Sequence, residues 1–400
     1  MIDFSFTEEQ ELFRDAVREW LAKNLPLERV RENDESQRLP RELLKGLGDL
    51  GLLLMTVPEE HGGAGADWVT TAIAAEELGY ADISIALPVF FLVQAGWGFV
   101  VDRYCTDTVR DAAIRKAARG DAFIGIGVTE PGGGSDVAGF LTTLKRGDGC
   151  WIVNGEKTYI SGTVECQELG GGYFSTGYSD RPRGHRGMTA FYLPLDAPGV
   201  EVTKRFDDMG RMAISTGGFK MTDVVVPDEH QIGEMNRGFY LTMEGFDAAR
   251  ILVAASCVGA AQRGLEIGME YIKERRAFGQ PLAMYQGIQF DLADMTAHLE
   301  AVRALVYKTA WMQDRKYQEG AFTPLEVSKW ISMCKYLAPH LAFDVFRRTL
   351  LWMGAYGYTK ECPLEMGLRG VMSYCIGAEG ATNIQKIVIA RETLGREWRR

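Results

Sequence analysis

A single acid, Glu379, stands in a stretch from Ser373 to Gln385 that contains no other charged side chain. A carboxylate so placed is partly desolvated, which favours its neutral form and lifts its pKa toward the range of a useful general base. Far upstream lies Thr129-Glu130-Pro131-Gly132-Gly133-Gly134-Ser135-Asp136, directly after a β-rich run. Three successive glycines let the backbone approach a flat or anionic ligand and leave amides free to donate, and Thr129 and Ser135 add hydroxyls. Taken alone, that loop reads equally well as an ordinary β-turn. It is neither a Walker loop nor a GxGxxG fingerprint, and no βαβ unit surrounds it. Glu379 alone reads as an acid favoured at the first turn of the following helix. Arg250 and Arg275 alone read as solvated helix-face charges. Together, a poised base and a glycine-rich ligand loop point to an enzyme.

These residues need a scaffold, and 400 residues can bury a large core in two or three domains. A hydrophobic fraction of 46% with 24% charged residues is that of an ordinary soluble globular chain. The net charge of −10 argues against nucleic acid as the main partner, so an anionic ligand must be held by local cations or helix N-termini. Seven cysteines lie scattered without a CxxC pair and no secretion signal precedes them, which predicts a reducing, cytoplasmic setting. The five dispersed histidines show no ligand spacing, and no metal is expected. Ile83 to Val101 carries no charge and is long enough to span a bilayer. Pro88, Gln94, Gly96 and Gly98 interrupt it and acids bound it at Asp82 and Asp102, so a buried helix is expected rather than a membrane span.

The period of the apolar residues changes twice. Thr7 with Gln10 forms a capping-box pattern, after which Leu12, Phe13, Val17, Trp20 and Leu21 predict one buried helical stripe. Leu43, Leu44, Leu47 and Leu50 resume the period, the Pro58–Gly65 run breaks it, and Ala72–Leu78 and Phe90–Val101 predict further helices. From about Asp121 short β-rich runs appear at Phe123–Val128, Trp151–Val153, Met188–Leu193 and Val224–Val226, and Asn154-Gly155 signals a turn. After Gly233 helices are expected at 239–274, 289–318, 324–353 and 382–400. The fold class is therefore mainly α with a central β domain: a helical N-domain (1–120), a small β-barrel or sandwich middle domain (121–232) and a C-terminal helical bundle (233–400).

Val128-Thr-Glu-Pro-Gly-Gly-Gly-Ser-Asp136 resembles the flavin- and thioester-binding loop of acyl-CoA dehydrogenases, and the resemblance extends over nearly the whole chain. Phe6-Thr-Glu-Glu-Gln10, Leu50-Gly51-Leu52, the loop Val57–Gly65, Glu274-Arg-Arg-Ala-Phe-Gly279 with Gln286-Gly287, and Glu379-Gly380 with Ile384-Gln385 follow in the family's order. The resemblance implies a C-terminal four-helix bundle, FAD bound between subunits of a homotetramer (a dimer of dimers), and α,β-dehydrogenation of an acyl-CoA. Electrons would then pass to an electron-transfer flavoprotein. It implies Glu379 as the α-proton base, with the thioester oxygen near the Glu379 amide. It further implies cofactor contacts at Val128, Thr129, Gly134, Ser135, Tyr159, Ser161, Arg275, Phe278, Gln286, Gly354 and Asn383. Arg275, Phe278 and Gln286 would reach FAD across a dimer interface. Substrate contacts are implied at Ser135, Asp247, Arg250 and Gly380.

The chain departs from the family pattern at Tyr159, Ser161, Leu351, Gly370 and Ala381, and by one extra residue before Glu379. Two other activities stay open on the sequence. A 1,4-dehydrogenation of an alicyclic acyl-CoA would use a second pocket carboxylate, for which Asp82 and Asp102 are candidates. A flavin monooxygenase or reductase on the same fold is disfavoured by Glu379.

Overall fold

The computed structural model describes residues 5–398. Helix α1 (Glu8–Asn24) starts at the expected capping box: Thr7 accepts from the Gln10 amide, and the Gln10 side chain accepts from the Thr7 amide. Its buried stripe is narrower than expected, because Val17 and Leu21 are buried but Leu12 is 65% exposed. Helices α2 (Leu27–Ser36), α3 (Arg41–Asp49) and α4 (Trp68–Ala81) complete the first layer. The uncharged stretch forms α5 (Ala86–Tyr104), with 89% of its most apolar window inside the protein, so it is a core helix. Val93–Trp97 within it takes a π-helical turn. A further helix, α6 (107–118), leads to the sheet.

The middle of the chain forms one eight-stranded sheet: β1 (Phe123–Gly127), β2 (Thr143–Arg146), β3 (Cys150–Ser161), β4 (Gly171–Tyr178), β5 (Met188–Pro194), β6 (Val200–Arg205), β7 (Thr216–Pro227) and β8 (Gln231–Ile232). The order is β6-β7-β3-β2-β4-β5-β8, with β1 pairing parallel to β4. A short helix, α7 (Thr163–Leu169), precedes β4. Asn154-Gly155 does not turn the chain. It lies inside β3 at a bulge opposite β7, where Asn154 and Asp223 exchange two 2.9 Å hydrogen bonds. The glycine serves a close approach instead, since a Cβ on Gly155 would come within 2.3 Å of the Thr142 hydroxyl. The chain reverses five residues earlier, where Gly147 N–H donates to Cys150 O and Gly149 takes a positive φ.

Helix α8 (Gly238–Glu274) is the axis of the molecule. Every residue from Ala248 to Ala261 is buried, because the helix is surrounded by α4, α5, β5 and the helices that follow it. At 37 residues it is ~55 Å long. A two-strand ribbon (β9, Arg276–Ala277; β10, Gln280–Pro281) leads to α9 (Gln286–Glu319), α10 (Pro324–Trp352), α11 (Leu364–Ile376) and α12 (Thr382–Leu394). α11 was not expected from the sequence: Pro363, Gly367 and Gly370 interrupt its apolar period, and packing supplies what propensity does not.

Candidate active site

Glu379 lies in the five-residue connection (377–381) between α11 and α12, with a left-handed φ of 57° followed by Gly380 at a φ of 103°. Gly380 takes a positive φ freely, but Glu379 carries a side chain there and persists in that region only where the surroundings fix it. Here the surroundings do so from several sides. Arg250 of α8 donates from Nε to the Glu379 carbonyl at 2.8 Å. Gly380 N–H donates to Gly377 O at 2.8 Å, and Thr382 Oγ1 donates to Cys375 O at 2.9 Å. Lys335 of α10, fully buried, donates from Nζ to Tyr374 O at 2.6 Å. The Glu379 amide donates to no backbone carbonyl among the described residues and so stays free for a ligand.

The carboxylate of Glu379 is poised. Burial pushes its pKa up to about 7, against the opposing pull of Arg250, Lys335, the Trp97 indole N–H and Arg211. Its Oε2 is buried without a hydrogen-bond partner. Burial also pushes the Lys335 ammonium down to about 8. Asp247 is raised by burial despite its partners, accepting from Arg250 at 3.1 Å and from Ser328 at 3.3 Å. Arg250, expected as a substrate contact, thus faces inward and clamps the backbone of the base, while Asp247 anchors Arg250.

The glycine-rich loop leaves β1 and is held from beneath by a buried ion pair. Lys157, 0% exposed, donates to Glu130 Oε1 at 2.8 Å, to Val128 O at 3.2 Å and to Thr176 O at 2.9 Å. Glu130 also accepts from the amides of Leu141 and Thr142 and from the Thr142 hydroxyl. Burial alone would raise Glu130, but the Lys157 charge and these bonds hold it below the ordinary carboxylate value. Thr129 O accepts from Thr158 N–H at 3.0 Å, which places Val128, Thr129, Gly134 and Ser135 beside the end of β3. There Tyr159, with φ 56°, turns its ring outward, stacked on Phe206 and 64% exposed. Ser161 Oγ accepts from Arg211 at 3.1 Å, and Arg211 also donates to Thr216 at 2.9 Å. Arg211 joins the two parts of the site, since its charge acts on both Glu379 and Tyr374.

The remaining expected residues lie elsewhere in the chain. Arg275, Phe278 and Gln286 sit beyond the far end of α8, ~36 Å along the axis from Arg250 at the ordinary helical rise. Gly354 is at that end too, where Tyr271 stacks on Tyr356 and donates to Met353 O. Asn383 is the exception: it stays beside the base, exposed on the first turn of α12 four residues after Glu379. One chain therefore does not bring the two groups together. Of the departures, Leu351 is 68% exposed at the far end, Ala381 caps α12 without a side-chain bond, and Gly370 packs so closely that a Cβ would lie 2.1 Å from Ser84 O. Asp82 and Asp102 are both engaged: Asp82 accepts from Ser84 and from the Leu87 amide at the start of α5, and Asp102 pairs with His61 and Arg110. Trp97, Lys335, Arg211 and Lys157 escaped the sequence reading. For Lys335 the one available signal was a lone cation among apolar neighbours.

Models of the acyl-CoA dehydrogenase N-terminal, middle and C-terminal domains match residues 7–121, 125–224 and 236–394. A probable acyl-CoA dehydrogenase of Bacillus subtilis is 32% identical over 98% of this chain and 100% of its own length. The CarC subunit of the caffeyl-CoA reductase–Etf complex of Acetobacterium woodii is 30% identical, covering 96% of this chain and 98% of its own. The solved butyryl-CoA dehydrogenase of Megasphaera elsdenii superposes with a TM-score of 0.90 at 30% identity, over 98% of this chain and 100% of that one.

Proposed function

The chain belongs to the acyl-CoA dehydrogenase family of FAD-dependent oxidoreductases, and from that premise we propose that Glu379 takes the α-proton of a bound acyl-CoA thioester. The observation that carries this reading is the Glu379 carboxylate itself: buried, unpartnered at Oε2, and poised near pH 7 on a connection clamped by Arg250. The α-proton of a thioester is weakly acidic, so its removal needs a positioned base together with donors to the carbonyl oxygen as charge develops there. The free Glu379 amide is such a donor, and the left-handed backbone at 379–380 presents amide and carboxylate on one connection.

The residues present fit a planar, anionic cofactor. A Cβ on Gly132 or Gly133 would meet nothing within 4 Å, so the loop borders open space, and the outward ring of Tyr159 offers a flat wall beside it. Val128, Thr129, Gly134, Ser135, Tyr159 and Ser161 would hold FAD on this side. Asn383, one turn after Glu379, would add to them from the same copy, while Arg275, Phe278, Gln286 and Gly354 would do so from a second copy. Bound FAD supplies the acceptor for the β-hydride. Ser135, Asp247, Arg250 and Gly380 line the substrate side, where Arg250 acts through the backbone it clamps. Because Glu379 titrates near neutrality, both its forms are populated, and the same group can return a proton in the reducing direction.

Homotetramer assembly is supported by the exposed apolar groups of the far end, with Phe278 98%, Tyr358 96% and Leu351 68% exposed. An electron-transfer flavoprotein as electron acceptor is supported by the Etf-linked relative, and a cytoplasmic setting by seven free cysteines. A 1,4-dehydrogenation gains no support, because Asp82 and Asp102 are committed to structural bonds. The reading is tested by anaerobic titration of the holoenzyme with straight, branched, ring-derived and dicarboxylic acyl-CoAs. At least one should bleach the flavin and yield the α,β-unsaturated thioester; no bleaching with any acyl-CoA would overturn it.

A further inference from the structure

One buried donor beside the base has no assigned task. Trp97 ends the π-turn of α5, is fully buried, and its indole Nε1–H has no acceptor in hydrogen-bonding geometry. Its ring is fixed on two sides, by Phe174 of β4 at 5.3 Å and edge-on by Phe246 of α8 at 5.3 Å. Below it Gly245 leaves room that no side chain could share, since a Cβ there would come within 2.2 Å of the indole. Arg250, which donates to the Glu379 carbonyl, sits 5.1 Å over the same Phe246 ring that the indole packs against, so the indole and the base share one neighbourhood and the indole N–H pulls the Glu379 carboxyl down. Oε2 of that carboxylate is the complementary orphan, buried and unpartnered. Buried polar groups without partners are rare, and two of opposite kind facing each other have a joint explanation.

The π-turn gives a reason for the arrangement. Such a turn inserts one residue into a helix and re-aims the side chains that follow, and it is frequent at functional sites, although a second one at Arg110–Ile114 lies away from this site. In α5 it falls on Val93–Trp97 and ends at the residue that meets the base.

We propose that Trp97 is the positioning residue for Glu379, its indole N–H closing onto the ionised carboxylate and holding it toward the substrate's α-carbon. This inference rests on Glu379 as the base. The other charged and titratable groups facing Glu379 are Arg250 with its partner Asp247 from α8, Lys335 from α10, Tyr374 from α11 and Arg211 from the segment before β7. None of the cations forms a hydrogen bond with the carboxylate oxygens among the described contacts; the unpartnered neutral donors beside it are the Trp97 indole and the Tyr374 hydroxyl, and of the two it is the indole N–H that pulls Glu379 down. A neutral donor stabilises the charged form without supplying a counter-charge, which leaves the base active near neutrality rather than locked in an ion pair.

Trp97→Phe keeps the aromatic packing and removes the N–H. With FAD binding retained, the acidic midpoint of the kcat/KM–pH profile should move up by about one pH unit, because the ionised form loses a charge-assisted hydrogen bond. An unchanged midpoint would overturn the proposal, since a purely structural role leaves the profile in place. A second measurement needs no variant at position 97 and no turnover. In holoenzyme carrying 15N-tryptophan, one of the eight indole N–H resonances should titrate with a midpoint near 7 and stop titrating in Glu379→Gln. No titrating indole would equally overturn it. That titration appears whether or not Glu379 is the base, so failure of the positioning and failure of the catalytic reading are told apart.

Discussion

The two ends of helix α8 are built to opposite rules. Around Arg250 the charged groups are withdrawn from water: the guanidinium and the Lys335 ammonium are buried with partners in the chain, and Oε2 of Glu379 is buried although its connection is only half-buried. Around Arg275 the helix gives way to an open ribbon, where Phe278 is 98% exposed, and Gly354 takes a positive φ with nothing near it. Tuning a carboxylate to about pH 7 requires removal from water, and one chain can do this alone. The far end lies ~36 Å away along the helix and offers exposed apolar groups instead, so on the proposed reading it would meet the cofactor of another copy.

The contrast can be broken most forcefully at the ion pair beneath the glycine-rich loop. Lys157→Met leaves Glu130 buried beside uncharged surroundings, and urea unfolding should show a loss of about 3–5 kcal/mol. A loss below about 1 kcal/mol would mean that the loop base is not the enclosed structure described. Next in size is the clamp. Arg250→Met frees the Glu379 carbonyl and orphans Asp247, and kcat/KM should fall roughly 100-fold through misplacement of the base. A change confined to KM would return Arg250 to a binding role.

A smaller effect comes from the titration of Glu379. Its pKa in the folded chain, about 7, lies above the ordinary 4.5, so its stabilising contribution is complete below pH 4.5 and is lost as pH rises through 7. Glu379→Gln should therefore be more stable than the wild type at pH 8 by about 1–3 kcal/mol and nearly equal to it at pH 4, measured by chemical unfolding. The smallest effect belongs to the open end. Phe278→Ala should leave single-chain stability within about 0.5 kcal/mol, yet weaken FAD retention and assembly, read by flavin release and sedimentation. If Phe278→Ala unfolded the chain, the far end would not be open.

Legibility in the sequence followed the distance between partners. The Thr7–Gln10 box is three residues wide and was visible, as was the uncharged α5, whose length and flanks marked a core helix. Asn154-Gly155 misled because the turn chemistry of Asp148-Gly149 lay close by, and the bulge at Asn154 depends on a strand some seventy residues away. Glu379 could be read as a base from its own neighbourhood and from the family resemblance. Its partners could not: Lys335 finds Tyr374 across 39 positions and Arg250 finds Glu379 across 129. Nothing local in the sequence reveals that the Arg250 guanidinium also points inward to a backbone carbonyl. The π-turn that aims Trp97 left no mark in the apolar pattern, since a one-residue insertion in an all-apolar helix changes no period.

The central claim is that the enclosed carboxylate of Glu379 performs the proton removal. Its most direct test is Glu379→Gln holoenzyme mixed anaerobically with an acyl-CoA that bleaches the wild type. The variant should keep its bound FAD and bind the thioester, while substrate-driven bleaching is lost. Bleaching at the wild-type rate would contradict the account.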